Sequence, residues 1–294
     1  MARRLALVGR IFFALALIGL GVDHFIFDEF VTGRAPAWPE SVPGKLVWAY
    51  VTGAVFVIAG IAILAGKHAR VAALGAAALI LLWALVRHIP LLIGSSFLSP
   101  EWTRAGKAAV FSGGSLAIAA TLPMLARARR SVVERFVNLE GGFVVAARVC
   151  LGLFLIVSGI QHFMYTAFVA SLIPRWFPGN AVVWTYFAGA ALIAGGIGLL
   201  IPATALAAAF LSGLMIFSWF WIVHIPRTFV SVSDGIAVFE ALGVAGILFA
   251  IAGYLSAQRW DRGWQGHRSK VRMPTAQPEA KPFSGAMGRH SSTR

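Results

Sequence analysis

The chain has 294 residues, of which 59% are hydrophobic and only 12% are charged. A soluble domain is roughly half apolar and about a quarter charged, so the apolar excess belongs in lipid and an ordinary soluble fold is excluded. Twenty-five Lys and Arg against 11 Asp and Glu give a formal net charge of +14, and the lone Cys150 excludes an internal disulfide, a thiolate zinc site and a Cys-x-x-Cys redox pair.

Hydrocarbon about 30 Å thick takes about 20 apolar residues per helix. Stretches of that length lie near residues 5–26, 46–65, 70–93, 106–125, 143–165, 181–201, 203–225 and 235–256. The first exceeds the apolar core of a signal peptide, and no small-x-small cleavage site follows it before Asp23 and His24. It reads as an uncleaved first helix. The expectation is an all-α polytopic membrane protein with eight transmembrane helices, contacting membrane lipids along its length.

Orientation follows from the basic residues. With the N-terminus inside, the inner segments carry Arg3, Arg4, Arg10, Lys67, Arg70, Arg127, Arg129, Arg130, Arg135, Arg148 and every basic residue after Gln258. The outer loops carry Arg34, Lys45, Arg87, Arg104, Lys107, Arg175 and Arg227. The excess marks a cell inner-membrane protein with both termini cytoplasmic, and it explains the net charge without nucleic acid. Residues 258–294, rich in Arg, Lys, Pro, Ser and Gly, read as a disordered basic tail near anionic lipid.

The chain also resembles itself. At an offset of 138, Arg10 falls on Arg148, Gly21 on Gly159, His24 on His162, Phe25 on Phe163, Phe30 on Phe168, Pro36 on Pro174 and Trp38 on Trp176. At 136, Trp48 falls on Trp184, Tyr50 on Tyr186, Gly53 on Gly189, Gly60 on Gly196, Trp83 on Trp219, and His88-Ile89-Pro90 on His224-Ile225-Pro226. A shorter final loop then brings Ala109-Val110-Phe111 onto Ala237-Val238-Phe239. Matches of His, Trp, Pro and Arg at fixed spacing are the signature of a tandem duplication. Four helices per unit make the repeat parallel rather than inverted, which lowers an alternating-access transport reading. The expected organisation is two four-helix bundles, 1–126 and 143–257, with a basic cytoplasmic linker 127–142 and the tail 258–294.

Each unit, with Arg-x13-His-Phe, an outer loop bearing Pro and Trp, Trp-x-Tyr-x-x-Gly and a third helix ending in His-x-Pro, resembles the DoxX and DoxD group of small four-helix membrane proteins. The likeness covers about residues 5–256, once per half, and the tandem arrangement departs from the usual single unit. Some members of that group look like quinone-linked oxidoreductase subunits and many have no assigned role. The resemblance implies the fold first, and then a quinone cofactor and a redox partner protein.

His24 lies 14 residues beyond Arg10, about 21 Å along a helix, and His88 lies 18 beyond Arg70, about 27 Å. With their counterparts His162 and His224 they approach the same outer boundary, where buried ionisable groups mark function by default. Neutral imidazole can accept a proton, donate to a quinone carbonyl, or bind a metal or haem. The plainer alternative is that each histidine closes a helix end, bonding a carbonyl freed by Pro90 or Pro226. Trp83 and Trp219 fall within about two turns of the histidines and could sandwich a quinone ring, or belong to bundle packing and the interfacial belt. Asp23 and Glu240 are candidate proton carriers, with Glu240 expected to pair with His224, His162 or Arg227. Asp23 matches Gln161, Arg87 matches Val223 and Ser112 matches Glu240, so the two pseudo-equivalent sites differ in charge. Arg10 and Arg148 read as anchors reaching the inner headgroups.

Three functions stay open on these residues. The first is a redox-linked subunit that binds a quinone-type lipid near the outer leaflet through the four histidines. The second is a bis-histidine haem or copper protein. The third is a non-catalytic scaffold, lipid-binding or transport protein with structural histidines. Neither a dinucleotide fingerprint nor a cysteine cluster is present, so electrons in the first case come from a partner protein.

Overall fold

A computed structural model describes residues 1–31, 35–126, 134–230 and 234–271. Among the described residues all regular structure is helical: α1 Ala2–Ile26, α2 Lys45–Ala65, α3 Ala69–Gly94, α4 Pro100–Ala126, α5 Glu134–Met164, α6 Thr166–Leu172, α7 Ala181–Leu200, α8 Ala205–Thr228 and α9 Gly235–Val271. All but the short α6 are long and apolar enough to cross a membrane, which gives the eight expected spans. Met1–Gln258 form one compact unit, and the described residues from Arg259 onward belong to a second.

Three boundaries differ from the sequence reading for a common reason: apolar runs end where helices turn amphipathic. Helix α4 begins at Pro100 rather than near 106, with Pro at a helix start, where its missing N–H costs nothing, and Glu101 in the first turn. Arg104 and Lys107 therefore belong to a helix rather than to a loop. Helix α5 begins at Glu134, inside the stretch 127–142 expected to be linker, and α9 continues to Val271, inside the expected tail. The linker residues 127–133 and the tail residues 272–294 lie outside the described residues.

Helix α1 packs on α2, and α5 on α7, at glycines where backbone meets backbone. A Cβ built on Gly53 would lie 2.8 Å from the Gly21 carbonyl oxygen, and one on Gly189 would lie 3.0 Å from that of Gly159. Only a missing side chain permits that approach.

The halves interlock through α4 and α9, the two most buried spans. Gly114 of α4 faces Ile247 of α9, and Gly243 of α9 faces Phe111 of α4. Each also packs against the first helix of the other half: Gly246 meets the Gly9 backbone of α1, and Gly113 meets Ala147 of α5. Burial within protein explains how α4 carries Ser112, Ser115 and Thr121 at membrane depth. Their hydroxyls donate to the carbonyls of Ala77, Phe111 and Ile118 at 2.9, 2.8 and 2.7 Å.

Arg148 is held by protein groups at the end of a span. It is buried, and its Nε donates to the Leu199 carbonyl at 2.9 Å, where the last carbonyls of α7 lack helical partners. Its counterpart Arg10 sits beside Gly66, the residue that closes α2 with a φ of 76°. Both arginines thus reach the end of the neighbouring helix.

Candidate functional site

The end of the bundle reached by the C-terminus of α1, here the distal end, holds the polar residues of interest. Helix α3 is irregular there. Pro90 has no N–H and its ring crowds the carbonyl one turn back, so the ladder widens into a π-helical turn over Ala84–His88. The N–H of Ile89 reaches back five residues to the carbonyl of Ala84. The same device precedes Pro226 in α8, where the turn spans Phe220–His224 and the N–H of Ile225 reaches Phe220. In each case the histidine closes the widened turn.

His24 is held differently. Its ring is 1% exposed, and Nδ1 lies 2.7 Å from the carbonyl of Leu20, one turn earlier in α1. A carbonyl only accepts, so Nδ1 carries the hydrogen and Nε2 of the neutral ring is an acceptor. His162 repeats the bond with Ser158 at 2.7 Å. The bonded carbonyls are thus those of the histidines' own helices, and this tautomer excludes neutral His24 Nε2 as a donor to a quinone carbonyl.

In the first half these groups converge on one cavity of about 110 Å³, large enough for several waters. His24 comes from α1, Trp83, Arg87 and His88 from α3, Arg104 and Lys107 from α4, and Glu240 from α9. Phe30, Phe56 and Phe111 supply apolar wall. Trp83 is fixed by donating from Nε1 to Thr52 Oγ1 at 3.1 Å, and Thr52 in turn donates to the Trp48 carbonyl at 2.7 Å. The His24 ring stands edge-on to Phe56 and Phe30, at centroid distances of 5.6 and 6.1 Å.

Four of the sequence candidates, His24, His88, Trp83 and Glu240, therefore share one space. Glu240 pairs there with Lys107 at 2.5 Å, a partner the sequence reading had not named. Asp23 is buried on α1 and partnered, but outside this lining. His162 stacks on Trp219 in the second half, with centroids 6.2 Å apart, and His224 closes the π turn of α8 with a partner of its own.

Arg104 and Lys107 were counted in the sequence only as outer-loop charges, and Arg87 also as the counterpart of Val223; the structure brings all three into the site. The guanidinium of Arg87 sits over Phe30 at 4.2 Å and within 5.1 and 5.9 Å of the Trp38 and Trp83 rings. It also donates to the Pro36 carbonyl. That box folds the loop after α1 down onto the cavity: Phe30 is 4% exposed and stacks on Trp38 at 5.3 Å. In the second half Val223 replaces Arg87, and the counterparts Phe168 and Trp176 are 66% and 64% exposed. The divergence at this position was visible in the sequence, and its consequence is a covered site in one half and a bared loop in the other.

Residues 151–246, within the second half, match a family described as a domain of unknown function, DUF8561. No curated protein and no solved structure matches the chain. Among the described residues no group of three or more His, Cys, Asp or Glu is placed to hold a metal ion.

Proposed function

We propose that this integral membrane protein binds the head group of a quinone-type lipid in the distal cavity of its first half, as the membrane subunit of a redox pair. The observation that carries the reading is the meeting of His24 and His88 in one aromatic-walled cavity at the end of the spans, with the Lys107–Glu240 pair beside them. Apolar walls with a few directed polar groups suit a small planar ligand. When bound, such a head group supplies two-electron, two-proton chemistry. The likeness to DoxX and DoxD proteins points the same way, as does the basic excess that would set the distal end at the outer leaflet, with both termini cytoplasmic.

The chain's own groups have distinct tasks in this reading. His24 Nε2 accepts a hydrogen bond, and then a proton, from a ring hydroxyl. Trp83 and Phe30 exclude lipid and water from the ring. Glu240, paired with Lys107, takes protons onward. Electrons pass to or from a partner protein.

The test is titration of the protein in nanodiscs with menadiol, the reduced form of menadione, under exclusion of oxygen, read by quenching of tryptophan fluorescence. A His24→Ala, His88→Ala double variant that folds is expected to lose about tenfold or more in affinity, the scale of one or two hydrogen bonds to the ring hydroxyls. Unchanged affinity would overturn the reading.

A second reading rests on one observation: both His24 and His162 spend Nδ1 on a carbonyl of their own helix, which helix-end closure also requires. Full folding and unchanged cellular phenotype after replacement of all four histidines would favour that non-catalytic role. Bis-histidine haem or copper at His24 and His88 would show as a Soret band or as bound copper in the purified protein.

A further inference from the structure

We infer that the head group taken by this cavity carries a negative oxygen, as in an ionised hydroxyquinone or acidic phenol, directed at Arg87. The inference rests on the quinone reading above and names the chemical class within it.

The charges facing the cavity do not balance. Arg87, Arg104 and Lys107 line it against one carboxylate, Glu240. Lys107 is matched by Glu240 at 2.5 Å, and Arg104 by Glu101 at 3.0 Å. Arg87 makes its polar contact to a backbone carbonyl, that of Pro36, and stands under aromatic faces; the one carboxylate among the described residues that acts on its charge, Glu29, does so without an ion pair to it and is paired with Lys45. Rings and carbonyls stabilise a guanidinium without neutralising it.

Arg87 is also incompletely bonded. It is 91% buried, and its Nε has no hydrogen-bond partner among the described residues. A buried donor left unpaired costs about 1–3 kcal/mol, and because this Nε has almost no exposed surface, a ligand in the cavity meets the charge of the guanidinium rather than that N–H. An anionic oxygen gains more there than a neutral carbonyl, because the interaction is charge-assisted and the surroundings are of low dielectric. The walls fix the shape of the ligand as the cations fix its charge: Phe30, Trp83, Phe56 and Phe111 leave apolar faces that suit a planar ring.

The second half supplies an internal contrast. Val223 stands where Arg87 does, and Gly235 stands where Lys107 does when Ala237 is aligned with Ala109. The charge needed for an anion is built into one half alone.

Three naphthoquinones separate the possibilities: lawsone, whose ring hydroxyl is ionised at neutral pH, its neutral methyl ether, and menadione. Binding is measured to the full chain in nanodiscs, with protein-free nanodiscs subtracted. Lawsone is expected to bind at least about tenfold more tightly than its ether, the scale of one charge-assisted hydrogen bond at a buried site. Arg87→Met is expected to abolish that preference. Arg104→Gln, which leaves the aromatic box untouched, is expected to reduce it about threefold through charge alone, and keeps the test open if Arg87→Met fails to fold. Equal binding of lawsone and its ether, or preference for the ether, overturns the inference and leaves the quinone reading standing. Failure of all three to bind overturns both.

Discussion

Lys107 Nζ on α4 and Glu240 Oε2 on α9 lie 2.5 Å apart in the wall of the distal cavity, 133 residues apart in sequence. The second half of the chain thus completes a site that the first half builds. Their side chains are 25% and 10% exposed, so the pairing compensates two poorly solvated charges. Removing one partner leaves a poorly solvated charge, which costs up to about 3 kcal/mol for a pair of this burial. Lys107→Met and Glu240→Gln are each expected to lower the melting temperature in detergent, and the double variant to recover most of the loss. A double-mutant cycle with no coupling would contradict the pairing.

Gly246 and Gly75 differ in what a methyl group would meet. A Cβ on Gly246 would lie 2.7 Å from the Phe13 nitrogen and 2.8 Å from the Gly9 carbonyl oxygen, while one on Gly75 meets nothing within 4 Å. Gly246→Ala must push α1 from α9 and is expected to cost about 1–3 kcal/mol. Gly75→Ala is expected to be neutral or to stabilise α3 by up to about 1 kcal/mol through helix propensity. Thermal unfolding of the two variants side by side checks the contrast.

Arg87→Val would make the first half resemble the second. Without the guanidinium, the stack of Phe30 on Trp38 loses its cation and the Pro36 carbonyl its donor. The loop is expected to leave the cavity, with Trp38 more open to aqueous quenchers and residues 35–44 cleaved faster by added protease. The spans themselves should be unaffected, so far-ultraviolet circular dichroism should not change.

Pro90→Ala restores an N–H and removes the ring that widens α3. The π turn over Ala84–His88 is expected to tighten into ordinary helix, which stabilises the span by up to about 3 kcal/mol while rotating His88 away from His24. Higher thermal stability with weaker menadione binding is the expected signature.

The spans were legible in the sequence because lipid imposes a length and an apolar composition on each of them. The polar pairs His24 with His162 and His88 with His224 were legible because so few polar residues occur at that depth. Partners were another matter. Spacing along α1 fixes how deep His24 lies but not which way its ring turns, and the Leu20 carbonyl that holds Nδ1 is set by side-chain rotation. Arg104 escaped because a search for apolar runs starts α4 near residue 106, whereas Pro100 and Glu101 mark its true beginning, and Lys107, at the edge of that run, was counted with the outer-loop charges. The Lys107–Glu240 pair escaped because it depends on α9 packing against α4, which no pattern within either helix reveals. Arg148 shows a related limit: a lone arginine near a span end gives no sign in the sequence of the Leu199 and Leu200 carbonyls to which it donates.

The most direct measurement is photolabelling of the full chain in nanodiscs with an azido-quinone, followed by mass spectrometry of the labelled peptides. Label concentrated around His24, Trp83 to His88, and Glu240, and displaced by excess menadione, is the result this account requires. Label spread evenly over lipid-facing residues such as Ile58, Val71 and Trp221, and indifferent to menadione, would contradict it.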